Sequence, residues 1–317
     1  MAKILLTGGA GFIGSHLAER LLNDGHQLCV VDDFNDFYSP ATKRRNLAAI
    51  PPISAFELLE ADIRDPLRME EAFAHFAPEI VIHLAARAGV RPSLEQPLLY
   101  EQTNVGGTLL LLELARKHRI HKFVFASSSS VYGSTERVPF SEDACDPTPI
   151  SPYGVSKLAG EKLCSCYAKL YGVSSICLRF FTAYGPRQRP DLAIHKFAQC
   201  IVDDREIPFF GDGNSLRDYT YVDDLVDGIH RAMQLQSPFE IINLGNSHPI
   251  PLSKMVHLLE QKLGKAARLK KMNAQLGDML STHADLSKAR RLLGYSPKVS
   301  FEEGLDRFVS WFRNEKG

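Results

Sequence analysis

Short apolar runs alternate along this chain with longer stretches in which apolar positions recur at helical spacing. The runs fall at Lys3 to Thr7, Gln27 to Val31, Phe56 to Glu60, Ile80 to Leu84, Lys122 to Ala126 and Ser174 to Arg179. Strand-length runs joined by helix-length segments predict parallel strands with helical crossovers. The first run passes through Gly8-Gly9-Ala10-Gly11-Phe12-Ile13-Gly14 into amphipathic Ser15 to Asn23, which reads as strand, glycine turn and helix. Pro97 to Arg119 predicts a long helix, and its internal Gly106 and Gly107 would each cost about 1 kcal/mol relative to alanine, so close packing or a local bend is expected at Asn104. A further helix starts at Tyr153, with Ser151 as N-cap and Pro152 in the first turn. Phe209 to Tyr219 carries the turn-forming Gly-Asp-Gly-Asn and reads as a hairpin leading into a polar strand.

The candidate chemistry sits where these runs end. Glycines at 8, 11 and 14, with Phe12 and Ile13 between them, allow a tight turn and a close approach of backbone to a pyrophosphate, with a helix N-terminus facing the phosphates. The second run ends at Asp32-Asp33, where a dinucleotide fold places the acid that accepts the adenosine ribose hydroxyls. An acid there disfavours a 2′-phosphate, so NAD is expected over NADP. The excursion Phe34-Asn35-Asp36-Phe37-Tyr38-Ser39-Pro40 is rich in turn formers. In the basic group Lys43-Arg44-Arg45, the cations either begin a solvated helix or reach the cofactor or a partner subunit. Asp62 and Ile63 end the third strand region, a plausible adenine contact. His83-Leu84-Ala85-Ala86 ends the fourth with small residues that let backbone approach a flat ring, and His83 itself reads as a core histidine.

Tyr153 and Lys157, four apart on a helix, share one face and can point into one site. Bringing a tyrosine from its reference pKa of about 10 to about 7 takes about 4 kcal/mol of differential stabilisation, which a close ammonium and a cationic cofactor could supply. Tyr153 is therefore the candidate base, although the same spacing also describes a solvated surface pair. The serine run Ser127 to Ser130 lies at the ligand edge just ahead of it.

Composition narrows the field. The 317 residues include 44% hydrophobic ones, enough for a sizeable core and long enough for two domains. Thirty-seven basic and thirty-seven acidic residues cancel, so no global field calls for nucleic acid or a membrane surface. The six cysteines lack metal-site spacing and are expected as reduced core thiols. With no signal-peptide pattern at Met1-Ala2-Lys3 and no long apolar span, the chain reads as cytoplasmic.

Gly8 to Gly14, His83 to Ala86, Asn104, Ser127 to Gly133, Tyr153-x-x-x-Lys157 and Arg217-Asp218-Tyr219 together resemble the extended short-chain dehydrogenase/reductase family, across essentially the whole chain. The stretch Arg179 to Ala193 is most similar to that family's UDP-glucuronate 4-epimerases. The resemblance implies an α/β fold: a Rossmann-type doubly wound parallel sheet over residues 1–180, with segments near 222–244 returning to it, and a smaller α/β substrate domain over 181–317. It implies NAD, held by Gly8, Gly11, Phe12, Ile13, Gly14, Asp32, Asp33, Asn35, Lys43, Asp62, Ile63, Leu84, Ala85, Ala86, Asn104, Tyr153 and Lys157. Tyr153 resembles the catalytic base, Lys157 the group that binds the nicotinamide ribose and lowers the tyrosine pKa, and Ser128 the hydroxyl that positions the sugar oxygen, with Ser130 a second candidate. On the substrate side the resemblance adds Ser129, Thr182, Arg187, Arg189, Arg217 and Asp278. Arg187 or Arg189 would hold a sugar carboxylate, or else form a dimer or loop salt bridge. Arg217 would bind the nucleotide phosphate, or else pair with Asp218.

The activity so implied is 4-epimerisation of a UDP-sugar through a transient 4-keto intermediate in a homodimer. UDP-glucose 4-epimerase and UDP-glucuronate decarboxylase are the neighbouring alternatives, and a non-catalytic dinucleotide-binding protein is the alternative from another class. Sugar-nucleotide 4,6-dehydratases carry an Asp-Glu pair where this chain has Ser129-Ser130, so elimination of water is not expected.

Overall fold

The computed structural model describes residues 1–48, 50, 55–133, 135, 137–143, 147–272 and 281–315. Its strands are β1 (Lys3–Thr7), β2 (Gln27–Asp32), β3 (Phe56–Glu60), β4 (Ile80–His83), β5 (Lys122–Ser128), β6 (Ser175–Phe180), β7 (Thr182–Tyr184), β8 (Glu206–Phe210), β9 (Leu216–Tyr221), β10 (Phe239–Leu244), β11 (Pro249–Pro251) and β12 (Arg268–Met272). Seven of them form one sheet in the order β10-β6-β5-β4-β1-β2-β3, with every pairing parallel. Helices cover both faces, the doubly wound arrangement predicted above.

Strand alternation divides the apolar side chains between the two faces. Ile4, Leu6, Val30, Val124, Ile176 and Ile242 join one core, whereas Leu5, Cys29, Val31, Val81, Phe123 and Cys177 join the other. The first core is closed by helices Phe12–Asn23 and Val222–Gln234, the second by helices Pro66–Phe76, Gly107–Lys117 and Pro152–Tyr171. Helix Val222–Gln234 buries Val222, Leu225, Val226, Ile229, Ala232 and Met233, a stripe at helical spacing. The first core continues without a break into Ile194, Phe197, Ile207, Ile250, Met255 and Phe308, beneath the smaller sheets.

The glycine pair bends the long helix as its composition predicts. Between helices Pro97–Tyr100 and Gly107–Lys117 the chain makes a π-helical turn, Glu101–Gly106, that contains Asn104. At Gly107 a Cβ would lie 2.7 Å from Ile63 Cδ1, so that glycine lets two elements pack closely. The Phe209 to Tyr219 hairpin does not form. Gly211 and Gly213, with φ of 66° and 83°, turn the chain out of one sheet and into another, so β8 pairs with β12 while β9 pairs with β7 and β11. Cys29, Cys164, Cys177 and Cys200 are buried free thiols, but Cys166 is exposed and is no core residue. Cys145 lies outside the described residues.

Candidate active site

The sheet reverses its winding between β1 and β4, and crevices at such points bind ligands at the carboxyl ends of the strands. A cavity of about 450 Å³ opens there.

On one side its wall is main chain. Gly8 has φ of 73°, and a Cβ on it would lie 2.7 Å from the Ala85 nitrogen. A Cβ on Gly14 would overlap the Gly8 carbonyl oxygen, so helix Phe12–Asn23 can close on β1 only with glycine there. Asp32 braces this turn from the next strand, accepting from Ala10 N at 3.1 Å and Phe34 N at 3.0 Å. A carboxylate offers about four lone-pair sites, which leaves Asp32 capacity toward the cavity it lines. Burial raises its pKa, and the ammonium of Lys43, 4.0 Å away, opposes that rise. Asp33 accepts from Asn35 N at 3.1 Å and Asn35 Nδ2 at 2.5 Å. Asp62 is chelated by Arg64, with Nη2 2.6 Å from Oδ2. Phe12, Ile13, Ile63, Leu84, Ala85 and Ala86 complete this wall.

The reacting side is carried by helix Pro152–Tyr171, whose N-cap is Ser151 accepting from Gly154 N at 3.1 Å. Tyr153 and Lys157 both line the cavity, as do Ser128, Ser129 and Ser130. Lys157 Nζ donates to Ala126 O at 2.7 Å and stands 6.0 Å from the centre of the Tyr153 ring. Ser128 Oγ accepts from Ser130 N at 3.1 Å, which orients the 128 hydroxyl at the strand end. Burial raises the Tyr153 pKa, opposed by the Ser128 hydrogen bond and the charge of Arg189. Two cations thus stand near the tyrosine, Arg189 and the Lys157 ammonium expected from the sequence. Burial holds the Lys157 ammonium down to about 8, against the pull of Glu161 one turn further along the helix. Glu161 forms a buried fork with Arg179, at 2.8 Å for both bonds, and accepts from Ser127 Oγ at 2.5 Å. This ion pair under the serine strand was missed in the sequence, although its acid lies four residues beyond Lys157. His83 is buried between Thr7 Oγ1 at 2.7 Å and Thr108 Oγ1 at 3.0 Å, a core histidine as expected.

Asn104 is placed differently from the sequence expectation. It is absent from the cavity wall and clamps the backbone of Arg87, accepting from its nitrogen at 2.8 Å and donating to its oxygen at 2.9 Å. Its Nδ2 also donates to Ser156 Oγ at 2.9 Å, and Ser156 Oγ donates to Tyr153 O at 2.8 Å, so Asn104 fixes the first turn of the tyrosine helix.

The sugar-side loop splits its two arginines. Arg187 sits at φ of 62°, turns away from the cavity and pairs with Glu19 at 2.6 Å, which removes it from the expected carboxylate site. Arg189 lines the cavity beside Thr182, with Nε 2.9 Å and Nη2 2.8 Å from the Asp191 carboxylate and its guanidinium 5.2 Å from the centre of the Phe37 ring. Arg217 does not line the cavity, and it does not pair with Asp218, because alternate strand residues face opposite ways. Asp218 accepts from Asn246 N, Ser247 N and Ala284 N, tying three segments together. Asp278 lies outside the described residues. Lining residues that sequence reasoning passed over include Phe37, Tyr38, Arg87, Thr103 and Phe181.

The NAD dependent epimerase/dehydratase family matches residues 4–245. The chain belongs to this family. A curated UDP-glucuronate 4-epimerase of Thermodesulfobacterium geofontis is 41% identical over 98% of this chain and 96% of its own. The crystal structure of UDP-glucuronic acid 4-epimerase from Bacillus cereus in complex with UDP-glucuronic acid and NAD is similar with a TM-score of 0.92 and 37% identity, covering 98% of this chain and 99% of that one. A UDP-glucose 4-epimerase of Thermotoga maritima with UDP-glucose is similar with a TM-score of 0.92 and 34% identity, over 99% of both chains.

The cavity of this epimerase-family chain fits a dinucleotide on its own evidence. Its glycine turn and helix N-terminus suit a pyrophosphate, and Asp32 and Asp33 suit a ribose. The Gly8 and Gly14 cradle, which a Cβ would fill, leaves the main chain bare toward the cavity, as a closely approaching phosphate needs. Among the described residues no cluster of His, Cys, Asp or Glu is arranged to hold a metal ion.

Proposed function

We propose that this protein interconverts UDP-glucuronate and UDP-galacturonate by 4-epimerisation, with NAD as its resident cofactor. The observation that carries the proposal is the convergence of Tyr153, Ser128, Lys157, Thr182 and Arg189 on one cavity whose opposite wall is the glycine turn. NAD, when bound, supplies the acceptor and then the donor for the C4 hydrogen. Tyr153 takes the proton of the 4-hydroxyl and returns it once the 4-keto sugar has presented its other face. Ser128 positions that oxygen and Lys157 holds the nicotinamide ribose. Thr182 and Arg189 hold the carboxylate so that it stays on the sugar, and Arg217, off the wall of this cavity, is left as the candidate for the nucleotide phosphate beyond it. A second reading, UDP-glucose 4-epimerase, draws on the Arg189–Asp191 fork, which occupies two of the arginine's donor positions.

Incubation with each UDP-sugar, with products resolved by NMR, tests the reading. UDP-galacturonate from UDP-glucuronate is expected. UDP-galactose from UDP-glucose would favour the second reading, and UDP-xylose or a 4-keto pentose would favour decarboxylation.

Residues 1–180 with 222–244 are taken as the cofactor unit and the rest of 181–317 as mainly the sugar-nucleotide unit. A homodimer through helices Gly107–Lys117 and Pro152–Tyr171 is supported by exposed Leu109, Val155, Leu170 and Tyr171 along them. Sedimentation giving only monomer at micromolar concentration would remove it. A cytoplasmic location fits the five free cysteines among the described residues, as a reducing compartment leaves them. No helix among those residues is long and apolar enough to cross a membrane.

A further inference from the structure

Glu161 and Arg179 form an ion pair that is 0% and 2% exposed, and neither lines the cavity. Glu161 lies on helix Pro152–Tyr171, one turn beyond Lys157, whereas Arg179 lies on β6 directly beside Ser127 of β5. The helix comes close enough to reach beneath the strands at Gly160, where a Cβ would overlap the Phe125 ring. Glu161 Oε1 accepts from both Ser127 Oγ and Arg179 Nε, and Oε2 accepts from Arg179 Nη2, so one carboxylate joins the helix to two strands. The guanidinium also stands 4.7 Å from the centre of the Tyr132 ring, beyond the far end of the serine run.

Ser127 is flanked by the two strand-end groups that face the reacting side. The Ala126 carbonyl holds the Lys157 ammonium at 2.7 Å, and the Ser128 hydroxyl hydrogen-bonds Tyr153. Taking a carboxylate and a guanidinium out of water is costly, and apolar side chains of like volume often stabilise a core as well or better. Apolar groups, however, fix no direction, whereas a bidentate fork has one geometry. On the reading that Tyr153 and Lys157 carry the epimerisation, we propose that Glu161 and Arg179 are positioning residues: through Ser127 they set the distance between the helix that bears the base and the strand end that bears Ser128 and the Lys157 acceptor. Their loss then falls on the chemical step and not on binding.

The test is the steady-state rate on UDP-glucuronate, with kcat and KM separated. Ser127→Ala removes only the link, and kcat should fall about tenfold, with KM within about twofold and bound NAD retained, since the misplaced groups act in the transition state. Glu161→Gln would leave Arg179 a buried unpaired charge and threaten folding, so the pair is replaced together: Glu161→Leu with Arg179→Met keeps the volume and removes both charges. This double variant should show the same fall in kcat, and adding Ser127→Ala should lower it less than about twofold further, because the hydroxyl has no carboxylate left to bind. Should the double variant not fold, Ser127→Ala decides alone. A wild-type kcat in Ser127→Ala or in the folded double variant would overturn the proposal and leave the pair purely structural. So would losses that multiply in the triple variant or that fall on KM. A wild-type protein that turned over no UDP-sugar would overturn the epimerase reading itself and this proposal with it, an outcome distinct from those.

Discussion

On the cofactor side of the cavity main-chain groups at strand ends define the surface, whereas on the sugar side the long side chains of the Thr182 to Asp191 loop do. The difference matters because backbone placed by a seven-stranded sheet has one conformation, while an arginine on a loop has many. Gly14 packs directly on the Gly8 carbonyl, and Asp32 holds the same turn through Ala10 N. Arg187 and Arg189 stand two apart in the same loop and go to different partners, Glu19 and Asp191. A rigid wall for an invariant cofactor and an adjustable wall for the variable part of the substrate is the division expected of a fold that serves many sugars.

The largest effect should come where the two walls meet. Tyr153→Phe leaves both walls standing and removes the proton transfer, so turnover should fall by about 10³-fold, within the range for general acid–base catalysis, with bound NAD retained. A near-normal rate would remove Tyr153 from the mechanism. Gly14→Ala attacks the rigid wall alone. The added methyl overlaps the Gly8 carbonyl, and the chain should lose about 1–3 kcal/mol of stability together with most of its copurifying NAD, read by denaturation and nucleotide extraction.

Lys157 gives the comparison a pH dependence. Burial holds it at about 8, against its ordinary 10.5, so between those values the unfolded chain binds a proton that the folded chain does not. Stability contributed at this site therefore rises as pH climbs from about 8 to 10.5. Lys157→Met should flatten the rise by up to about 3 kcal/mol, measurable in urea unfolding at pH 7 and pH 10. A variant with the wild-type slope would show that the ammonium is not the titrating group.

The smallest expected effects separate the two arginines. Arg189→Ala should weaken UDP-glucuronate about ten- to a hundredfold and leave a neutral UDP-sugar nearly unchanged, as loss of a charge-assisted hydrogen bond requires. Arg187→Ala should cost less than about 1 kcal/mol of stability and shift no substrate preference, because its ion pair is partly solvated. Equal losses for both sugars in Arg189→Ala would make that arginine structural.

The same contrast explains how far the sequence could be read. The glycine turn, the acid after β2, the serine strand and the tyrosine helix were legible because each is a local pattern whose geometry the backbone enforces. Asn104 was recognised but misplaced: only the folded chain shows that a π-helical turn aims its amide at Arg87 and Ser156. Arg187 was indistinguishable from Arg189, because the left-handed backbone that turns it toward Glu19 leaves no mark on a non-glycine residue. The hairpin at 209 to 219 failed because a Gly-Asp-Gly-Asn turn says that the chain reverses and not which sheet it then joins.

The account's central claim is that oxidation at C4 is transient, confined to one cavity and undone on the opposite face of the same sugar. UDP-glucuronate carrying deuterium at C4 tests it most directly, with the products followed by proton NMR. The account predicts UDP-galacturonate that retains the deuterium at C4, with no exchange into water and no carbon dioxide released. Loss of the label, or its recovery in a pentose, would contradict it.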